Sequence, residues 1–221
     1  MAIIGEICRG AAISMMFSIL INNLMRLWVR FKQNLYGDES YLTHTLPVKK
    51  QTLYMSKILT AVISVFVSVI VITLTLYITY YSKENIEFMK NLILPFADVY
   101  ESSVLSIISA FLIVFFLEFA NILQAGFTGI ILGHKMNTAK TGFSVLYGFF
   151  VYMATQVFSI AVMLIFALFN DNFMNLFVTE SAINIPTVKA VVYLSIAVYS
   201  ISLIVIYFIN QYLFRKGVNV D

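Results

Sequence analysis

The stretch Ile58–Tyr81, ILTAVISVFVSVIVITLTLYITYY, decides the class of fold, because it contains no Asp, Glu, Lys or Arg. It is longer than the roughly 18 apolar residues that mark a membrane-spanning helix. The rest of the chain has the same character: of 221 residues, 61% are hydrophobic and only 11% are charged. A soluble domain carries roughly a quarter of charged residues. The composition therefore excludes an ordinary soluble domain and predicts a polytopic membrane protein.

Five apolar segments are long enough to cross a bilayer, and together they predict an all-α fold with one transmembrane domain. The predicted spans cover about residues 3–29, 58–81, 103–133, 142–169 and 190–214. The first is the least apolar, and with Glu6, Arg9 and Arg26 it is too long and too polar for a cleavable signal peptide.

The Lys and Arg residues alternate between the predicted loops, which indicates an orientation. The loop 30–57, the turn 134–140 and the C-terminal tail are basic, whereas the loops between them are mixed or acidic. Basic loops stay on the cytoplasmic side. This predicts a cytoplasmic C-terminus and a cytoplasmic loop 30–57, with the N-terminus outside. A further span ahead of the first would place the N-terminus inside.

A polar segment, NLYGDESYLTHTLPVKK (Asn34–Lys50), separates the first two predicted spans. Gly37 is expected to end the first helix, and Asp38 is a good N-cap. Glu39 then lies in the first turn, where a carboxylate suits the helix dipole. Pro47 cannot continue that helix and can open the next. A short helix of about two turns is therefore predicted between Gly37 and Pro47.

The predicted helix Asp38–Leu46 is amphipathic. Its apolar stripe is formed by Tyr41, Leu42, Thr45 and Leu46. Two interpretations fit this pattern: a helix resting on lipid headgroups, which needs only an apolar face and flanking basic residues, or a helix that docks on a protein partner.

The stretch YGDESYLTHTLPVKKQTLYMSKIL (Tyr36–Leu59) resembles the first cytoplasmic loop of type-2 ATP-binding-cassette (ABC) exporter permeases. In that family a tyrosine, an acidic residue, YLTxTLPV and a later SK recur. The terminal FRKGVNVD is similar to the closing segment of many such permeases. The resemblance implies that the loop bears a coupling helix that enters a groove on a separate ATPase. The docking residues would be Asp38, Glu39, Tyr41, Leu42, Thr45 and Leu46.

The resemblance also implies a role for the whole chain. It would be the multi-pass permease subunit of an exporter in a bacterial plasma membrane, acting as a homodimer or with a second permease. ATP and Mg²⁺ would be bound by the partner ATPase, no cofactor by this chain, and no nucleic acid is expected as a partner. Amphipathic or hydrophobic cargo is expected, since the spans contain few charges. Family members usually begin with a basic amphipathic helix and a further span, so this chain is expected to correspond to spans two to six.

Polar and small residues of the third predicted span form two further patterns. Glu118, Asn121 and Gln124 make a polar edge, which predicts either interhelical hydrogen bonding or contact with a transported substrate. Ala125, Gly129 and Gly133 follow at intervals of four residues and predict a close helix-packing face, which could also serve a dimer.

Catalytic and metal-binding patterns are not found in the sequence. It contains no phosphate-binding loop, no HExxH motif and no paired intramembrane acids, so no enzymatic activity is predicted for this chain. Cys8 is the only cysteine, and His44 and His134 stand without neighbouring ligands, so no metal site is expected. Two alternative functions remain from other classes: an ion-gradient-driven secondary carrier and a non-transporting membrane immunity or scaffold protein.

The predicted outer loop 170–187 is unusually apolar for a solvated connector. It predicts either a re-entrant pair of short helices or an interfacial helix.

Overall fold

The protein is all-helical throughout the part that the computed structural model describes, residues 2–79, 81–99, 103–170, 173–174 and 185–216. The helices in chain order are α1 (Ala2–Tyr36), α2 (Ser40–Thr45), α3 (Lys50–Thr79), α4 (Lys83–Val99), α5 (Val104–Gly133), α6 (Lys140–Leu168) and α7 (Ile185–Arg215). The loop 170–187 lies mostly outside the described residues, and so does the tail beyond Lys216.

Five helices are long and apolar enough to span a membrane, as the sequence predicted. The candidate spans are Gly10–Tyr36, Lys50–Thr79, Val104–Gly133, Lys140–Leu168 and Lys189–Arg215. Helices are the natural choice for such segments because hydrocarbon offers no partner for free backbone groups. The five apolar helices indicate a multi-pass membrane protein.

The first two spans differ from their predicted bounds at the end nearest α2. Helix α1 continues to Tyr36 rather than ending near residue 29, and α3 begins at Lys50 rather than near residue 58. The predicted limits marked the loss of apolar residues, whereas helical hydrogen bonding continues into polar sequence. Both helices therefore extend past their most apolar portion at this end, which we call the α2 end.

Helix α5 is the centre of the bundle. It packs along α6 and α7, and the pair α1–α3 packs against it from another side. The core is concentrated at the α2 end, where Phe31 of α1 stacks on Phe127 of α5 with 4.1 Å between ring centroids. Tyr54 of α3 lies 5.8 Å from the ring of Phe214 at the end of α7. The α2 end is thus the best-packed part of the bundle.

Helix α4 was not predicted. The sequence between the second and third spans reads as a mixed polar loop, but residues Lys83–Val99 form a 17-residue helix at the end of the bundle opposite α2. Ile86 and Ile93 are half-buried on it, while Glu84, Glu87 and Lys90 are exposed. The helix is amphipathic and contacts α5.

Positive charge collects at the α2 end. It carries Arg30, Lys32, Lys49, Lys50, Lys57, Lys135, Lys140, Arg215 and Lys216. Near the opposite end, Lys83 and Lys90 are interspersed with Glu84 and Glu87 on α4. The helical topology therefore turns the alternation of charge along the sequence into an asymmetry between the two ends of the bundle.

Candidate functional site

The short helix α2 forms where the sequence predicted it, but with different bounds. It covers Ser40–Thr45 rather than Asp38–Leu46, and Glu39 occupies the N-cap position without a side-chain capping bond. The prediction of Asp38 as N-cap was wrong, because the chain after Gly37 first makes a turn in which the Ser40 N–H donates to the Gly37 carbonyl at 2.9 Å. Pro47 lies between helices and does not open α3, which begins at Lys50.

The inner side of α2 is attached to the transmembrane helices. Ser40 is buried, and a ring nitrogen of His44 lies 3.1 Å from the Leu35 carbonyl of α1. The His44 ring also lies 6.4 Å from that of Phe214 on α7. These contacts attach the short helix to the ends of α1 and α7.

A polar chain ties the start of α2 to two spans. The Asn34 amide of α1 donates to the Glu39 carboxylate, and its carbonyl accepts a hydrogen bond from the Lys57 ammonium of α3. Glu39, one of the residues predicted to dock on a partner, is exposed and bonds to Asn34 of α1, which in turn bonds to Lys57 of α3.

The outer side of α2 is apolar and exposed. Tyr41 is 75% exposed, Leu42 69% and Leu46 53%, and Thr45 and Asp38 are exposed beside them. The predicted stripe is therefore present. Because α2 lies beyond the ends of the spans, this surface is accessible from outside the bundle.

Glu118 forms the centre of a polar cluster halfway along α5. One of its carboxylate oxygens, Oε1, accepts hydrogen bonds from the Tyr152 hydroxyl at 2.8 Å and the Gln156 amide at 2.9 Å, both from α6. The phenol of Tyr199 on α7 lies close enough to interact with Glu118 and Gln156. This arrangement joins three spans and supports the interpretation of Glu118 as an interhelical hydrogen-bonding residue.

Asn121 and Gln124 continue the polar edge of α5 toward α7. The Asn121 amide donates to the Leu117 carbonyl of its own helix and, at 3.1 Å, to the Tyr199 carbonyl. The backbone carbonyl of Gln124 accepts a bond of 3.4 Å from the Asn210 amide. Glu118 and Asn121 thus bond to neighbouring helices through their side chains, and Gln124 does so through its backbone carbonyl.

The stripe Ala125, Gly129 and Gly133 packs α5 against α6. A Cβ atom added to Gly129 would overlap the Ser144 carbonyl and the Gly148 backbone, and one at Gly133 would overlap Ser144. Within this chain the predicted packing face lies against α6. It is therefore not free to serve as a dimer contact.

Sequence reasoning missed the partners of these residues. Tyr152 and Gln156 lie on the fourth predicted span at a spacing of four residues, the signal of a polar face on a transmembrane helix. Nothing in the sequence indicated that this face meets Glu118.

The two histidines are engaged in helix packing. His134 ends α5 with Nδ1 2.8 Å from the Ile130 carbonyl, and its ring lies 4.4 Å from that of Tyr36. Among the described residues no group of three or more His, Cys, Asp or Glu side chains is placed to hold a metal ion.

Comparisons with models of known protein families, with curated proteins and with solved structures found no match to this chain.

Proposed function

We propose that the chain is the membrane-spanning permease subunit of an ATP-driven exporter and that α2 docks on a separate cytoplasmic ATPase. The observation that carries this proposal is the two-sided character of α2. Its inner side is attached to α1 and α7, while Tyr41, Leu42 and Leu46 project outward from the end of the bundle. In this proposal the α2 end is cytoplasmic, as its positive charge favours.

The exposed stripe is large enough to support a stable contact. Burying a Leu or aromatic side chain contributes roughly 1.5–3 kcal/mol. Two such side chains, Tyr41 and Leu42, would therefore change an association constant by orders of magnitude. Interface hot spots are enriched in tyrosine, which fits the most exposed residue of the stripe.

The attachments of α2 supply a physical route for coupling. A displacement of α2 by the ATPase would act on α1 through His44 and Asn34, on α3 through Lys57, and on α7 through Phe214. Tightly packed elements move as rigid bodies more readily than they deform. ATP-driven closure of the ATPase pair would thus tilt these spans together.

The remaining parts of the proposal concern assembly and cargo. The permease works as a dimer, either with itself or with a second permease. Amphipathic or hydrophobic cargo suits spans that contain few charged residues.

The experiment is co-purification of the tagged chain from its native membranes in mild detergent. The wild-type chain is expected to retain a P-loop ATPase, identified by mass spectrometry and by ATP hydrolysis. The double variant Tyr41→Ala/Leu42→Ala should insert normally but lose most of the ATPase. The matched control is Tyr77→Ala/Ile78→Ala at the other end of α3, where the side chains are 60% and 73% exposed.

Retention of the ATPase by both double variants would contradict docking through α2, and α2 would then be an interfacial helix. A wild-type preparation without any ATPase would contradict the function itself.

A further inference from the structure

A groove runs between α1, α5 and α6 at the side of the bundle. It encloses about 460 Å³, within the roughly 300–1,000 Å³ of pockets that hold small organic ligands. Its lining is almost entirely apolar and includes Met25, Trp28, Val29, Ala125, Val145 and Phe149. Four of these, Met25, Val29, Val145 and Phe149, are exposed, so the groove opens sideways toward the bilayer.

The floor of the groove is a close helix contact. The Trp28 indole of α1 donates a hydrogen bond of 3.1 Å to the Leu123 carbonyl of α5. A Cβ atom at Gly126 would overlap this indole. The N–H edge of the indole therefore packs against α5, and the ring forms part of the groove wall.

A lysine lies where the groove reaches the α2 end. The Lys32 ammonium donates to the Thr141 hydroxyl at 2.8 Å and so joins α1 to α6 across the groove. Within the described residues Lys32 bonds to this neutral hydroxyl and not to a carboxylate, so its positive charge is not compensated there. An apolar groove with one cation at its α2 end is complementary to an amphiphile with a negatively charged head.

We propose that this groove binds an anionic phospholipid from the leaflet at the α2 end. One acyl chain lies along Val29, Val145 and Phe149, and the phosphate contacts Lys32 and the Thr141 hydroxyl. A hydrocarbon chain satisfies the apolar lining without leaving polar groups unpaired. Anionic lipids are attracted to Lys and Arg near the membrane surface.

The bound lipid would stabilise the position of α1 relative to α6. Both helices pack on α5, and the Lys32–Thr141 bond joins them at the mouth of the groove. An acyl chain between them supplies the dispersion contacts that an empty groove lacks. This proposal goes beyond the exporter function and requires only that the chain spans a membrane, so it stands or fails independently of ATPase docking.

The test uses Trp28, the only tryptophan in the chain. The protein is reconstituted in vesicles containing phosphatidylglycerol or phosphatidylcholine with brominated acyl chains, which quench tryptophan on contact. Excitation at the red edge isolates Trp28 from the tyrosines. Both headgroups carry a phosphate, but only phosphatidylglycerol has a net negative charge, and attraction to one Lys is worth about 1 kcal/mol. Brominated phosphatidylglycerol should therefore quench at about fivefold lower mole fraction than brominated phosphatidylcholine.

Two lysine variants give the matched comparison. Lys32→Gln keeps a donor for Thr141 but removes the charge, so it should abolish the preference for phosphatidylglycerol. Lys135→Gln removes an exposed charge at the same end, outside the groove, and should keep the preference. Lys32→Arg keeps the charge and should also keep the preference for phosphatidylglycerol. It replaces the Gln variant in the comparison if that variant does not fold.

Equal quenching by the two lipids, or no quenching by either, would overturn the proposal. So would a phosphatidylglycerol preference that survives in Lys32→Gln.

Discussion

At the scale of single residues, Glu118 shows how a carboxyl group is accommodated among apolar helices. Two donors on α6, the Tyr152 hydroxyl and the Gln156 amide, bond to the same carboxylate oxygen. A side-chain amide has an equivalent carbonyl oxygen. The bonding pattern therefore requires an acceptor at this position, and it does not require a charge.

This predicts opposite outcomes for two substitutions at Glu118. Glu118→Gln should leave the free energy of unfolding nearly unchanged, because the amide oxygen still accepts both bonds. Glu118→Leu should lower it by about 1–3 kcal/mol, since two donors lose their acceptor. Unfolding of detergent-solubilised protein by added SDS, followed by helical circular dichroism, measures both.

Equal destabilisation by Gln and Leu would contradict this account and show that the charge of Glu118 matters. Gln156→Ala is the companion variant, because it removes one donor and leaves the Tyr152 bond in place. It should cost less than Glu118→Leu.

For Glu118 the sequence predicted either interhelical hydrogen bonding or contact with a transported substrate, and it did not identify the hydrogen-bond partners. A carboxyl group in an apolar span must find hydrogen bonds within the protein, and this follows from local sequence alone. Tyr152 and Gln156 lie 34 and 38 residues later in the chain, so their identity depends on how α6 packs on α5. The same limit applies to the groove, whose wall combines residues from three helices.

At the scale of helices, the close contact between α5 and α6 depends on glycine residues, which have no side chain. Gly129 faces the Ser144 carbonyl and the Gly148 backbone, too close for a methyl group. Gly142, on α6, has no atom within 4 Å of the position that a Cβ would take. Two glycines of the same helix pair thus differ in whether packing excludes a side chain.

We therefore expect Gly129→Ala and Gly142→Ala to have opposite effects on stability. Gly129→Ala should lower the free energy of unfolding by about 1–3 kcal/mol, the usual cost of overpacking. Gly142→Ala should be neutral or raise it by up to about 1 kcal/mol, because alanine favours helix more than glycine does. The SDS titration measures both variants. An unchanged free energy of unfolding in Gly129→Ala would contradict the packing assigned to this stripe.

The two short helices show why element boundaries were only partly predictable. For α2, the end of the first helix at Gly37 was predicted, but the turn that precedes α2, closed by the bond from the Ser40 N–H to the Gly37 carbonyl, was not. For α4, alternating charges at Lys83, Glu84, Glu87 and Lys90 read as a solvated loop. The half-buried Ile86 and Ile93, seven residues apart, were the signal of an amphipathic helix.

At the scale of the whole molecule, five spans were predictable because hydropathy is a local property of the sequence. Their arrangement around α5 was not predictable, since every span has apolar residues on several faces. The small-residue stripe indicated that α5 packs closely on a neighbour but did not identify α6. The positive charge of the α2 end favours a cytoplasmic position for that end.

The orientation is tested by cysteine labelling in a Cys8→Ser background. Lys49→Cys at the α2 end and Lys83→Cys at the opposite end are both exposed positions. In intact cells an impermeant maleimide should label Cys at position 83 and leave position 49 unlabelled until the membrane is permeabilised. Labelling of both in intact cells, or of position 49 alone, would contradict a cytoplasmic α2 end.

The central claim is that the exposed stripe of α2 contacts an ATPase, and photo-crosslinking in native membranes tests it most directly. A benzophenone amino acid is placed at Tyr41 and, as the matched control, at Tyr77, both exposed tyrosines at opposite ends of the bundle. We predict that irradiation joins the Tyr41 variant to a protein identified by mass spectrometry as a P-loop ATPase, and that Tyr77 gives no such product. Lipid adducts alone at both positions would contradict the claim and leave α2 as a helix of the membrane surface.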